Sequence, residues 1–157
     1  MSETRELLTG YFLAGIAAAG ARRTLPARLP QGAPAGKTII LGCGKAAAEM
    51  ADVAADHLAG PFGGCVVTRH GHGVGRSLPG IEVIEARHPV PDSQSLEAGE
   101  RLLELAASAG PEDRVIFLIS GGGSSLLCAP ATGIALDEKQ AMTDYLVRSG
   151  EIGRAHV

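Results

Sequence analysis

The stretch Thr38-Ile-Ile-Leu41, Gly42-Cys-Gly44 and Lys45-Ala-Ala-Ala-Glu-Met-Ala-Asp-Val-Ala-Ala-Asp-His-Leu58 decides the fold. Four residues fit to be buried on both faces predict a parallel strand covered above and below. The two glycines allow a tight turn. The Ala-rich run after them has high helix propensity, and Gly60-Pro61 ends it. Strand, glycine turn and helix in that order form the building unit of α/β sheets.

The same grammar continues along the chain. Cys65-Val-Val-Thr68 and Ile81-Glu-Val-Ile84 read as strands. Their connection is short for a helical crossover, so their relative direction stays open. Asp92 or Ser93 caps a helix over 95–109, and Gly110-Pro111 stops it. Val115-Ile-Phe-Leu-Ile119 is the strongest strand, and 137–148 is a last helix expected to bury Ala141, Tyr145 and Leu146. Upstream, Leu7, Leu8, Tyr11, Phe12 and Ile16 recur at helical spacing over 4–23, and a Pro- and Gly-rich connection follows. The expected fold is an open, mostly parallel, Rossmann-like α/β sheet with helices on both faces.

Composition narrows the function. Hydrophobic residues are 45% and charged residues 20% of the 157, ordinary for a globular protein. A net charge of -3 argues against a nucleic-acid surface, and 3% aromatics with no Trp offer no platform for stacking bases. No apolar run approaches the ~18 residues of a membrane span. Cys43, Cys65 and Cys128 show no metal-ligand spacing and read as buried thiols. Reduced thiols and an acidic amino terminus fit a cytoplasmic address.

Four loops could carry chemistry. In Gly42-Cys-Gly-Lys-Ala-Ala47, Gly42 and Gly44 would let the backbone approach an anion, and helix amides would point at it. Lys45 lies at the positive end of a helix dipole, a conflict that an anion would remove; a solvated lysine on a tight turn is the equal alternative. The loop also fits G-x-G-x-x-A, but Arg69 stands where an NAD site wants an acid, which disfavours NAD and leaves NADP open. Ser120, Gly121, Gly122, Gly123, Ser124 and Ser125 follow the most apolar strand and can form a nest of donors for phosphate or carboxylate. Arg69-His-Gly-His-Gly73 reads as a mobile substrate loop rather than a metal site. In Arg87-His-Pro-Val-Pro-Asp92, His88 and Asp92 could face the ligand edge, with a helix cap the favoured alternative for Asp92.

In chain order, Gly42-Cys-Gly-Lys-Ala-Ala47, Val67-Thr-Arg-His-Gly-His-Gly73, His88-Pro-Val-Pro-Asp92 and Ser120-Gly-Gly-Gly-Ser-Ser-Leu-Leu127, together with Leu146-Val-Arg-Ser-Gly150, resemble the glycerate 2-kinase family of the MOFRL type over about residues 5 to 150. The resemblance implies ATP-dependent phosphorylation of D-glycerate to 2-phosphoglycerate, with Mg²⁺. It makes Lys45 the active-site lysine and 120–125 the family's glycine-serine loop. Some relatives are called hydroxypyruvate reductase. His70 departs from the more usual Tyr and Arg87 from the usual Gly. An NADP-linked hydroxypyruvate reductase and a non-catalytic anion-binding module remain the alternatives; the sequence assigns no metal ligand.

Family members are much longer. Residues 1–150 are therefore expected to be a partial amino-terminal domain whose active site is shared with a carboxyl-terminal domain, so that 1–157 alone is inactive. Oligomerisation of a full-length protein is left open. Glu151-Ile-Gly-Arg-Ala-His-Val157 matches the translation of a common sequencing adapter and is expected to be a non-native tail.

Overall fold

The computed structural model describes residues 3–150; the expectation for 151–157 lies outside them. Four strands form one sheet in the order β3-β2-β1-β4: β1 Thr38–Cys43, β2 Phe62–Arg69, β3 Ile81–Ala86 and β4 Arg114–Ile119. All three pairings are parallel, which answers the open question about β2 and β3. A non-helical segment joins these two, and its Val74 and Leu78 pack onto the same face as α3 (Ala47–His57).

β1 is central and buried at every position, as its uninterrupted apolar run requires. Ile40, Val66 and Leu118 point to one face, where Ala47, Ala51 and Ala54 of α3 meet them. The alanines let this helix lie close to the sheet. Ile39, Leu41, Cys65 and Val67 point to the other face, against Ala98 and Leu102 of α4 (Ser93–Ala107). All three cysteines are buried free thiols, and burial first, then the neighbouring Glu82, pushes Cys65 up to about 12.

Two apolar surfaces stay uncovered. α1 (Glu3–Ala19) forms where the periodicity places a helix, but none of its residues is buried, and Leu7, Leu8, Tyr11, Phe12 and Ile16 face outward. β4 lies at the sheet edge with Val115, Phe117 and Ile119 exposed. The expected burial of Ala141, Tyr145 and Leu146 in α6 (Leu136–Ser149) is not found. Ala141 and Tyr145 are exposed, Leu146 is half-buried, and Thr143 is the buried residue. The helix is fastened instead by Gln140 Nε2, which donates to the Pro91 carbonyl at 2.9 Å.

A short helix, α2 (Ala21–Thr24), is tied to α3 by one buried carboxylate. Arg22 reaches Asp52 at 2.6 Å, and Arg76, from the β2–β3 connection, reaches it from its other oxygen. Among the described residues no helix is long and apolar enough to cross a membrane.

Candidate active site at the switch point of the sheet

From β1 the chain moves by α3 to β2 on one side; β4, reached through α4, returns to the other side of β1. The carboxyl ends of β1 and β4 therefore flank the point where strand order reverses. Open α/β sheets bind ligands in the crevice at such points. The loops 42–47 and 120–125 are brought together there.

Their contact is close. The Ser120 amide donates to the Cys43 carbonyl at 3.0 Å, the Lys45 amide to the Gly121 carbonyl at 2.9 Å, and the Ala46 amide to Ser120 Oγ at 3.0 Å. The Gly44 and Ala47 amides bond to Val67 and Gly44 carbonyls. The amides of Gly44 to Ala47 are thus bonded inside the protein, while those of Ala48 and Glu49 in the first turn of α3 take no hydrogen bond among the described residues. Gly44 is bare because the two loops meet so closely: a Cβ there would stand 2.3 Å from Ser120 Oγ. Gly42 is enclosed too, with Val66 and Leu118 about where its Cβ would go. At both glycines the space a side chain would need is filled by protein.

The second loop is different. Among the described residues, the amides of Gly121, Gly122, Gly123 and Ser124 take no hydrogen bond. Gly122 has φ +90° and ψ 4°, the left-handed conformation that turns successive amides toward one concave side. A four-residue helix, α5 (Gly123–Leu126), follows it. Ser125 is turned inward, its Oγ donating to the Gly122 carbonyl at 3.3 Å, while Ser124 is exposed. The exposed Lys45 side chain lies over the loop, its Cε 3.4 Å from where a Cβ on Gly122 would be. It makes no ion pair among the described residues.

His88 closes the other flank, its ring 2.9 Å from that same Gly122 position. Burial first, then the charges of Lys45 and Arg69, lower its pKa below the ordinary 6.5. It is neutral at pH 7, with the Lys45 and Arg69 charges nearby.

Asp92 sits apart from this work. Its Oδ1 accepts the Ser95 amide at 3.0 Å and caps α4, and its Oδ2 accepts the Arg87 amide at 3.2 Å. Burial raises its pKa, but the hydrogen bonds from Ser95, Arg87 and His70 prevail and hold it below the ordinary carboxylate value. The cap alternative is the observed one.

The sequence reading missed Glu85. Its Oε2 accepts the Gly71 amide at 2.8 Å and its Oε1 the Gly73 amide at 3.2 Å, so both oxygens hold the His-Gly-His-Gly loop. His70 lies between Glu85 and Asp92, at 3.9 and 3.5 Å. The loop read as mobile is stapled to β3. The usable signal was an acid one residue before the end of a strand, at the ligand edge. No three His, Cys, Asp or Glu side chains converge to hold a metal among the described residues.

A family model described as a domain of unknown function, DUF4147, matches residues 7–152. The chain belongs to this family. DUF4147 relatives bear out the resemblance to the glycerate 2-kinase family. A D-glycerate 2-kinase of Thermotoga maritima is 42% identical over 115 residues, covering 73% of this chain and 27% of its own length. A putative hydroxypyruvate reductase of Agrobacterium vitis is 42% identical over 149 residues, covering 93% of this chain and 33% of its own length. In structure, the chain is similar to the crystallised glycerate kinase of Thermotoga maritima, with TM-score 0.76 and 36% identity over 94% of this chain and 35% of that one. A crystallised protein of Pyrococcus horikoshii gives TM-score 0.77 and 35% identity over 96% and 36%. The DUF4147 chain described here thus spans about a third of the length of the curated relatives it matches.

Proposed function

We propose that this chain supplies the anion-binding half of an active site that transfers the γ-phosphoryl group of ATP to the 2-hydroxyl of D-glycerate, giving 2-phosphoglycerate. The observation that carries the reading is Lys45, unpaired among the described residues, lying over a left-handed glycine turn whose four amides take no bond from them. Phosphoryl transfer calls for positioning and for neutralising charge on the transferred group, with little covalent work by the protein. The amides of Gly121 to Ser124 would hold phosphate oxygens, and Lys45 would meet charge as it develops on them. Mg²⁺ is implied by the resemblance; no three His, Cys, Asp or Glu side chains converge to hold it among the described residues.

An NADP-linked reductase would seat the dinucleotide pyrophosphate on the first strand–helix turn. Here Ser120 and Gly121 already take the amides of that turn. This favours the kinase over the reductase. The test is the full-length protein with D-glycerate and ATP, its product read by phosphorus NMR. Formation of 2-phosphoglycerate supports the proposal. Oxidation of NADPH by hydroxypyruvate without ATP use would overturn it, and glycerate binding without turnover of either pair would leave an anion-binding module.

A further inference from the structure

A second concavity opens beside Ser120. It has a volume of about 450 Å³ and lies between α2, the 3₁₀ turn Pro26–Arg28 that follows, and the start of α3. Ala21, Leu25, Ala46 and Met50 give it an apolar wall, and Arg28 and Ser120 contribute polar groups. The size falls within the roughly 300–1,000 Å³ typical of small-molecule sites, as does the apolar lining with a few polar groups. Its outer wall is fixed in place, since Arg22 anchors α2 to the buried Asp52 of α3.

We propose that this cavity receives the nucleoside of the phosphate donor. The inference rests on the kinase reading above and adds where the donor lies. Ser120 lines the cavity and begins the glycine loop, so a ligand in the cavity would lie beside the residue next to the nest. The two substrates differ in what they can bury. D-Glycerate carries oxygen on each of its carbons and has no apolar face for Leu25 and Met50 to cover. A nucleoside has a flat ring with two apolar faces and fits such a wall. Arg28 is exposed, and one of its nitrogens donates to the Thr24 carbonyl at 2.9 Å. Its remaining N–H groups and planar face can meet the phosphate nearest the ribose or stack on the base. The polyphosphate then runs over Ser120 to the amides of Gly121–Ser124 and to Lys45.

The test is calorimetric titration of the full-length protein with ATP and, separately, with inorganic tripolyphosphate, which has the anion but no nucleoside. Ala21→Trp fills the cavity, and Arg28→Ala removes its cation at an exposed position where folding is not at stake. Both variants should weaken ATP binding by at least about tenfold. Ala21→Trp should leave tripolyphosphate binding and the KM for D-glycerate within about twofold. Unchanged ATP affinity in a folded Ala21→Trp variant, or in Arg28→Ala if the former does not fold, would overturn the assignment. A rise in the glycerate KM with ATP binding intact would make the cavity the acceptor site and overturn it equally. If the wild type binds no ATP but binds NADPH in a manner sensitive to Ala21→Trp, the cavity still takes a nucleoside and the kinase reading is what falls.

Discussion

Ser120 completes the start of a helix it does not belong to: its Oγ accepts the backbone N–H of Ala46, at 3.0 Å, immediately before α3. Ala46 has no side-chain oxygen to serve as its own cap, so the hydroxyl is borrowed from the loop after β4. Ser120→Ala leaves that half-buried amide without its partner and should lower stability by about 1–2 kcal/mol. Urea unfolding of the two proteins measures it; an unchanged midpoint would mean that water replaces the hydroxyl without loss.

Lys45 should matter to chemistry and hardly at all to folding. Its side chain is exposed and unpaired among the described residues. Lys45→Ala in the full-length protein should reduce glycerate-dependent ATP consumption at least a hundredfold, on the order of 3 kcal/mol of transition-state stabilisation. Its melting temperature should hold or rise slightly as the dipole conflict is relieved. Near-normal turnover in the folded variant would remove Lys45 from the mechanism.

The imidazole of His88 should titrate below 6.5. Because burial is the larger cause and Lys45 the next, Lys45→Ala should move the midpoint up without restoring the ordinary value. The unfolded chain binds this proton with ordinary affinity and the folded chain more weakly. The contribution to stability is therefore complete above 6.5 and is lost as pH falls through 6.5 toward the lowered folded value. An NMR titration of the ring protons in both proteins tests the first point; a midpoint unmoved by the substitution would separate the two residues in space.

Glu85 should govern the 70–75 segment. Glu85→Ala removes the acceptor of two loop amides, and hydrogen exchange at Gly71 and Gly73 should quicken by about tenfold or more. Glu85→Gln keeps one acceptor oxygen and should protect one amide better than the other. Equal, unchanged protection in both variants would show that the loop is held by something else.

Asp52→Ala should release α2 from α3. The carboxylate is 2% exposed, but the Arg22 and Arg76 guanidiniums that flank it are half or more exposed and can return to water. The cost should therefore be limited to about 1–2 kcal/mol, short of that for a fully buried pair. Thermal unfolding measures it, and a larger loss would mean the arginines stay trapped.

The parallel sheet was legible because β1 and β4 are short apolar runs, and their length and the glycines that follow them separate them from the longer helices between. The loops at their ends were legible as a pair only through the topology that makes β1 and β4 neighbours. What the sequence did not disclose is which loop has free donors. A glycine that admits a ligand and a glycine that admits Ser120 look alike in one dimension, and Gly44 is the second kind. Asp92 was ambiguous for a similar reason, since a cap and a ligand are both exposed-type acids near a helix start. Glu85 was hidden because alternation in Ile81-Glu-Val-Ile-Glu85 reads as an ordinary half-buried strand. The length of α1 and its apolar spacing predicted a helix correctly, but spacing does not say whether anything lies against it.

The order of strands across the sheet differs from their order along the chain, and this sets a schedule for synthesis. β1, β2 and β3 can pair once Ala86 has left the ribosome, yet one side of β1 waits for β4. From Ala86 to Ile119 a ribosome needs roughly 2–7 s at about 5–20 residues per second. During that interval the backbone of the most buried strand has a bare side, the Ala46 amide has no hydroxyl, and no crevice exists. Whatever the crevice binds cannot be held until the loop after β4 emerges, so such a ligand could assist only the last stage of maturation.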